Sequence, residues 1–121
     1  MKVTEKNDIT LNPTSFTGEI PAIASKSHAH RMLICAALSD KITKIRCTTT
    51  NADIEATAGC LRGLGAEITR EGEYFIVKPI KEVIENAVLD CGESGSTMRF
   101  LLPVVLALGR NSSLLGHGRL P

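Results

Sequence analysis

The sequence predicts an α/β fold, one strand-and-helix unit followed by the start of another, and three observations predict it. Two long apolar stretches follow the small polar loops that end at Ser27 and Gly95. Short runs of period-two alternation lie between them, and residues 66–78 read as a hairpin around Gly72.

In chain order, residues 9–11 and 15–20 read as short extended segments, closed by Asn12-Pro13 and by Pro21. From Ser27 the pattern turns helical. Met32, Leu33, Ile34, Cys35, Ala36, Ala37 and Leu38 make that helix apolar nearly all round, the mark of burial on most sides, and Ser39-Asp40 ends it. Residues 42–47 alternate like a half-exposed strand. Residues 48–51 offer helix caps, Asp53 and Glu55 fall in a first turn where the helix dipole favours acids, and Ile54, Ala58, Leu61 and Leu64 keep helical spacing until Gly63 and Gly65 mark its end. The hairpin follows, with arms at 66–70 and 74–78. Residues 79–86 connect it to a short strand over 87–90. A glycine-rich loop then leads into a second apolar helix over 100–108, which Pro103 is expected to bend or shorten, and Leu114-Leu115 forms a last strand.

Composition narrows the function. The chain has 121 residues, 43% of them apolar, enough for one domain with its own core. With 14 basic and 13 acidic residues and no basic block, a nucleic-acid surface is excluded, and the scarcity of aromatics (no Trp, one Tyr, three Phe) argues against base-stacking platforms. Residues 1–10 are polar and unlike a signal peptide, and no apolar run is long enough for a membrane helix, so a cytoplasmic protein without a membrane partner is expected. Cys35, Cys47, Cys60 and Cys91 form no C-x-x-C pair and read as buried reduced thiols. His28 and His30 point to nearly opposite sides of a helix, a poor chelate, and His117 has no evident partner. No metal site is expected.

The chemistry concentrates at the first helix start. Ser25-Lys26-Ser27-His28-Ala29-His30-Arg31 sets hydroxyls, a lysine and an arginine where unpaired backbone N–H groups already attract an anion. Ser27 and Arg31 are one helical turn apart and share a face. The same pattern returns as Gly95-x-x-x-Arg99, again opening an apolar helix, so a duplicated unit would bring two anion-binding starts to one cleft. Asp53, Glu93 and Lys26 are the acid-base candidates. A P-loop is rejected because Thr97-Met98-Arg99 stands where Gly-Lys-Ser/Thr is required, and the dinucleotide fingerprint G-x-G-x-x-G is absent.

Four motifs in register, Lys26-Ser27-x-x-x-Arg31, Asn51-x-Asp53, the run from Asp90 to Arg99, and Gly116-His117-Gly118-Arg119-Leu120-Pro121, resemble those of the 5-enolpyruvylshikimate-3-phosphate synthases, the 3-phosphoshikimate 1-carboxyvinyltransferases. The likeness covers about Gly18 to Pro121. The sister UDP-N-acetylglucosamine enolpyruvyl transferases fit less well at Lys26 to Arg31. The resemblance implies transfer of the enolpyruvyl group of phosphoenolpyruvate to the 5-hydroxyl of shikimate 3-phosphate in the shikimate pathway of aromatic amino-acid biosynthesis. It implies no cofactor and a site that also takes glyphosate. Lys26, Ser27 and Arg31 would bind shikimate 3-phosphate, Lys26, Gly95 and Arg119 would bind phosphoenolpyruvate, and Asp53 would be a cleft acid whose role the resemblance leaves open.

It also implies β-α-β-α-β-β units with buried helices in an incomplete domain. Residues 1–21 would be strands packing with the later domain, 22–80 the first unit and 81–121 the start of the second. The principal acid-base residues would lie in the remainder of a two-domain enzyme, leaving this chain inactive alone. One departure is Glu93, where many members of the family have Asn; a carboxylate beside an anion must be turned away, paired or protonated. The alternative reading is a non-catalytic phosphate- or carboxylate-binding α/β module.

Overall fold

The computed structural model describes residues 9–12 and 14–120. Expectations resting on residues 1–8, on Pro13 and on Pro121 lie outside the described residues.

Helix α1 (Lys26–Ala37) is capped by Ser25, whose Oγ accepts the His28 N–H. It leads to β1 (Thr43–Arg46) and to α2 (Ala52–Leu64), capped by Asn51 Oδ1 at 3.0 Å from the Ile54 N–H. The hairpin β2 (Glu67–Glu71) and β3 (Tyr74–Lys78) turns at Gly72. With β1 it makes an antiparallel sheet in the order β1-β3-β2, with Ile45 opposite Phe75 and Ile68 opposite Val77. Strand β4 (Ala87–Asp90), helix α3 (Gly95–Leu108) and strand β5 (Ser112–Leu115) form a β-α-β unit whose strands pair in parallel. The core lies where the helices meet the sheets and is dominated by Leu33, Ile54, Leu61, Leu64, Phe75, Leu89 and Leu101, all at most 1% exposed.

Helices and strands alternate as expected, and four differences have physical causes. No strand forms within residues 9–12 or 14–20. Ile9, Leu11, Phe16 and Ile20 are exposed, and no neighbouring strand among the described residues takes up their backbone hydrogen bonds. Gly63 does not end α2 but lies within it, where a Cβ would come within 3.0 Å of Leu89 Cδ2, so it serves the close approach of β4. The true stop is Gly65, at φ 119°, whose N–H returns to the Arg62 carbonyl while that of Ala66 returns to Leu61. Helix α3 begins at Gly95 rather than Phe100, because Ser94 caps it, and it continues through Pro103 to Leu108 without being shortened.

Burial also differs from the expectation of helices apolar and covered all round. Only Thr97, Leu101 and Val105 of α3 are fully buried, leaving Leu102 and Leu106 open, and α1 exposes Met32. Cys47, Cys60 and Cys91 are buried free thiols, whereas Cys35 is exposed. Burial pushes the Cys60 thiol up to about 12, which keeps it protonated and unreactive.

Candidate functional site

The three helices begin at one end of the molecule. Lys26 Nζ, in the first turn of α1, lies 2.6 Å from Asp53 Oδ2 in the first turn of α2. The backbone carbonyl of the same Asp53 accepts from Thr97 Oγ1, in the first turn of α3, at 3.3 Å. Three sets of helix-start N–H groups are thereby gathered, each with the partial positive charge of its dipole. Lys26 and Asp53 are both partly exposed, so their ion pair adds little stability and chiefly orients the ammonium group.

Arg31 joins two of the starts. Its Nη1 donates to the Ser27 backbone carbonyl at 2.8 Å, and its guanidinium lies 4.7 Å above the ring of Phe100 in α3. Stacked this way, the planar group keeps the rest of its donors for a ligand.

The start of α3 presents a second set of open backbone N–H groups. Ser94 Oγ accepts the Thr97 N–H at 3.1 Å, and Gly95 opens the helix with no Cβ to hold a ligand away from its backbone. The turn carrying Arg119 folds onto this loop. The His117 N–H reaches the Gly92 carbonyl at 2.8 Å, the Leu120 N–H reaches the His117 carbonyl at 3.0 Å, and Leu120 lies against Gly95 and Gly116. Arg119 is thus brought to the Gly95 loop, exposed and without a hydrogen bond or ion pair among the described residues. Glu93 turns its carboxylate toward Gly118, which sits at φ 57° over it, where any Cβ would collide with the Glu93 side chain.

His117 does have a partner, contrary to the sequence reading: its Nε2 lies 2.9 Å from Asp90 Oδ1, which also accepts the Gly92 N–H at 2.8 Å. The Gly92 N–H first, and then His117, hold the Asp90 carboxyl below its ordinary 3.8. Its contribution to stability is whole above pH 3.8 and is lost as the pH falls through the lowered value, since only the unfolded chain takes the proton readily in between. Thermal unfolding followed from about pH 5 to about pH 3 should show a shallower acid loss for Asp90→Asn than for the wild type. Equal slopes would remove Asp90 from this latch.

Sequence reasoning missed a set of buried polar residues: His30, Thr57 and Thr97 are all 0% exposed. Their signal was a polar side chain in phase with an apolar stripe, His30 with Leu33, Thr57 with Ile54 and Leu61, Thr97 with Leu101. Burial holds the His30 imidazole below its ordinary 6.5, and the Lys26 and Arg31 charges outlying that burial add to the effect while Asp53 opposes it, so the ring is neutral at pH 7. A cavity of about 450 Å³ lies elsewhere beside α1. Ala24, His28, Met32, Arg46 and Thr48 line it, and none of Lys26, Ser27, Arg31, Gly95 or Arg119 does.

A family model described as EPSP synthase (3-phosphoshikimate 1-carboxyvinyltransferase) matches residues 11–120. The chain belongs to the EPSP synthase family. Among relatives of this family, the 3-phosphoshikimate 1-carboxyvinyltransferase of Clostridium botulinum (strain Eklund 17B / Type B) is 45% identical over 116 residues, which cover 91% of this chain and 27% of the relative. That of Clostridium beijerinckii is 36% identical over 121 residues, covering 93% and 28%. The chain therefore spans little more than a quarter of the length of these EPSP synthases. An EPSP synthase structure from Acinetobacter baumannii superposes with a TM-score of 0.69 at 22% identity, covering 84% of this chain and 24% of that one, and so shares the fold. No helix among the described residues is long and apolar enough to cross a membrane.

Proposed function

We propose that this chain supplies the amino-terminal half-cleft of a cytoplasmic 3-phosphoshikimate 1-carboxyvinyltransferase. The whole enzyme joins the 5-hydroxyl oxygen of shikimate 3-phosphate to the enolpyruvyl carbon of phosphoenolpyruvate and releases inorganic phosphate. The observation that carries this reading is the convergence of three helix starts around Lys26, tied together through Asp53 and Thr97. Each substrate bears a phosphate and a carboxylate, and this end of the molecule offers N–H groups, an ammonium and guanidinium groups for them.

In this reading Ser27 and Arg31 hold shikimate 3-phosphate, Gly95 and Arg119 hold phosphoenolpyruvate, and Lys26 reaches both. Each charge-assisted hydrogen bond is worth roughly 1.5–3 kcal/mol, so two such bonds account for about a hundredfold or more in affinity. Asp53 orients Lys26 and, among the described residues, is the carboxylate in direct contact with the proposed binding groups. The groups that move protons belong to the remainder of a two-domain enzyme, and the 121-residue chain is inactive alone.

The test is an NMR titration of the chain with shikimate 3-phosphate. Backbone and side-chain signals of Lys26, Ser27 and Arg31 should shift together and saturably, and those of the hairpin β2–β3 should not. A spectrum unchanged at all three residues would overturn the assignment. Turnover by the purified chain would overturn its inactivity.

A further inference from the structure

We propose that His30 is a positioning residue that holds the two halves of this cleft in register, acting through the hydroxyls of Thr57 and Thr97 on Ser94. The occupants of the two halves rest on the function proposed above, but the relay itself is read from geometry. His30 Nδ1 lies 2.6 Å from Thr57 Oγ1, Thr57 Oγ1 lies 2.8 Å from Thr97 Oγ1, and Thr97 Oγ1 lies 2.7 Å from Ser94 Oγ. The chain of contacts runs from α1 through α2 to the cap of α3. A second connection closes the circuit, from Thr97 to the Asp53 carbonyl and from the Asp53 carboxylate to Lys26.

Proton counting sets the direction. Thr97 Oγ1 has one hydroxyl proton and faces two acceptors with it, Ser94 Oγ at 2.7 Å and the Asp53 carbonyl at 3.3 Å, so that proton is committed away from Thr57. The contact of Thr97 Oγ1 with Thr57 must then be supplied by the Thr57 hydroxyl proton. With its proton committed to Thr97, Thr57 Oγ1 can only accept from His30, which must carry its proton on Nδ1. The direction is therefore Nδ1–H to Thr57, Thr57 to Thr97, and Thr97 to Ser94 Oγ and the Asp53 carbonyl. Ser94 Oγ still accepts the Thr97 N–H and keeps its cap. His30 Nε2 is left buried and without a partner among the described residues, and the Phe100 ring lies 5.9 Å from the imidazole at a steep angle.

A core position filled by an imidazole with one unpaired nitrogen is a poor choice for stability alone, since an unmet buried polar atom costs free energy that an apolar side chain would not. What the imidazole contributes is a fixed donor. The relay it starts has its other end at the helix start where Gly95 presents its backbone, and His30 itself is the neighbour of Arg31. One side chain thus sets the distance and rotation between the proposed shikimate 3-phosphate and phosphoenolpyruvate halves.

Thr57→Val and Thr57→Ser separate this from packing, because valine keeps the shape and loses the hydroxyl whereas serine does the reverse. Nitrogen-15 NMR of the ligand-free wild-type chain should show His30 neutral with the proton on Nδ1. In Thr57→Val the Thr97 amide should exchange with solvent at least about tenfold faster, while the Leu61 and Leu64 amides of α2 keep their relative protection, and Thr57→Ser should restore the wild-type rate. Phosphoenolpyruvate, titrated against the Gly95 amide, should bind about tenfold more weakly to Thr57→Val and normally to Thr57→Ser. A proton on Nε2, an unchanged Thr97 exchange rate in Thr57→Val, or failure of serine to rescue would overturn the relay. Absence of any phosphoenolpyruvate shift in the wild type would instead overturn the proposed occupants, and the ligand-free measurements would still decide the relay.

Discussion

Gly65→Ala is expected to be the most damaging single methyl in the chain, lowering stability by about 3 kcal/mol and the unfolding midpoint by about 10 °C or more. Two independent costs act there. Gly65 holds φ at 119°, a conformation from which an L side chain is nearly excluded, and a Cβ built on it lies 2.5 Å from the backbone carbonyl oxygen of Glu82. Backbone cannot rotate aside as a side chain can, so either the α2 stop or the loop before β4 must move. That loop is fixed in turn by the Ile84 N–H on the Leu64 carbonyl. Gly59 provides the control: it lies within α2 with nothing within 4 Å of its Cβ position, and Gly59→Ala should raise stability by roughly 0.5–1 kcal/mol through helix propensity. Thermal unfolding of the two variants side by side checks both signs. A Gly65→Ala midpoint within about 2 °C of wild type would contradict the packing described for this stop.

Gly95→Ala should do the opposite, leaving the fold intact and damaging the site. Its Cβ would stand 3.6 Å from Leu120 Cδ1 and 3.9 Å from Arg99 Nη2, ordinary contact distances, and its φ is not in the left-handed region. Nothing in the folded protein therefore demands glycine. The backbone N–H groups at the start of α3 do, if an anion is to approach them closely. Phosphoenolpyruvate affinity should fall by about tenfold to a hundredfold, the equivalent of one charged hydrogen bond, with the unfolding midpoint unchanged or slightly raised. Calorimetric or NMR titration of the variant, paired with its melting curve, separates the two effects. Wild-type affinity for phosphoenolpyruvate in a folded Gly95→Ala chain would remove Gly95 from the binding site.

The two glycines also show how far a sequence can be read. Gly65 was legible as a helix stop because local rules suffice: a helix end, a left-handed residue and a following strand. Gly63, two residues before it, invited the same reading and was misjudged, since its purpose is contact with Leu89, distant in sequence. The hairpin, both apolar helices and the acids in the first turn of α2 were equally legible, being set by spacing and by caps within a few residues. The start of α3 was placed too late because the small polar residues before Phe100 resemble a loop until Ser94 is seen to cap them.

At the site, Lys26, Ser27, Arg31, Gly95 and Arg119 were named from motif and resemblance, and the structure places them on two helix starts and on the turn folded against the second. Their number and type are properties of short segments, which is why the sequence alone determined an α/β protein with two similar helix starts rich in hydroxyl and cationic side chains. Only the tertiary structure decided that Lys26 would meet Asp53, that Arg31 would stack on Phe100, that Glu93 would turn under Gly118, and that a buried histidine would be joined to the cap of α3 through two threonines. Those pairings lie 25 to 69 positions apart or depend on which atom of a side chain faces inward, and hydrophobic periodicity registers a buried polar residue only as an interruption. The physical reason is range: caps, turns and helix spacing act over a few residues, whereas the hydrogen bonds that assemble the cleft exist only after the core has brought three helices together.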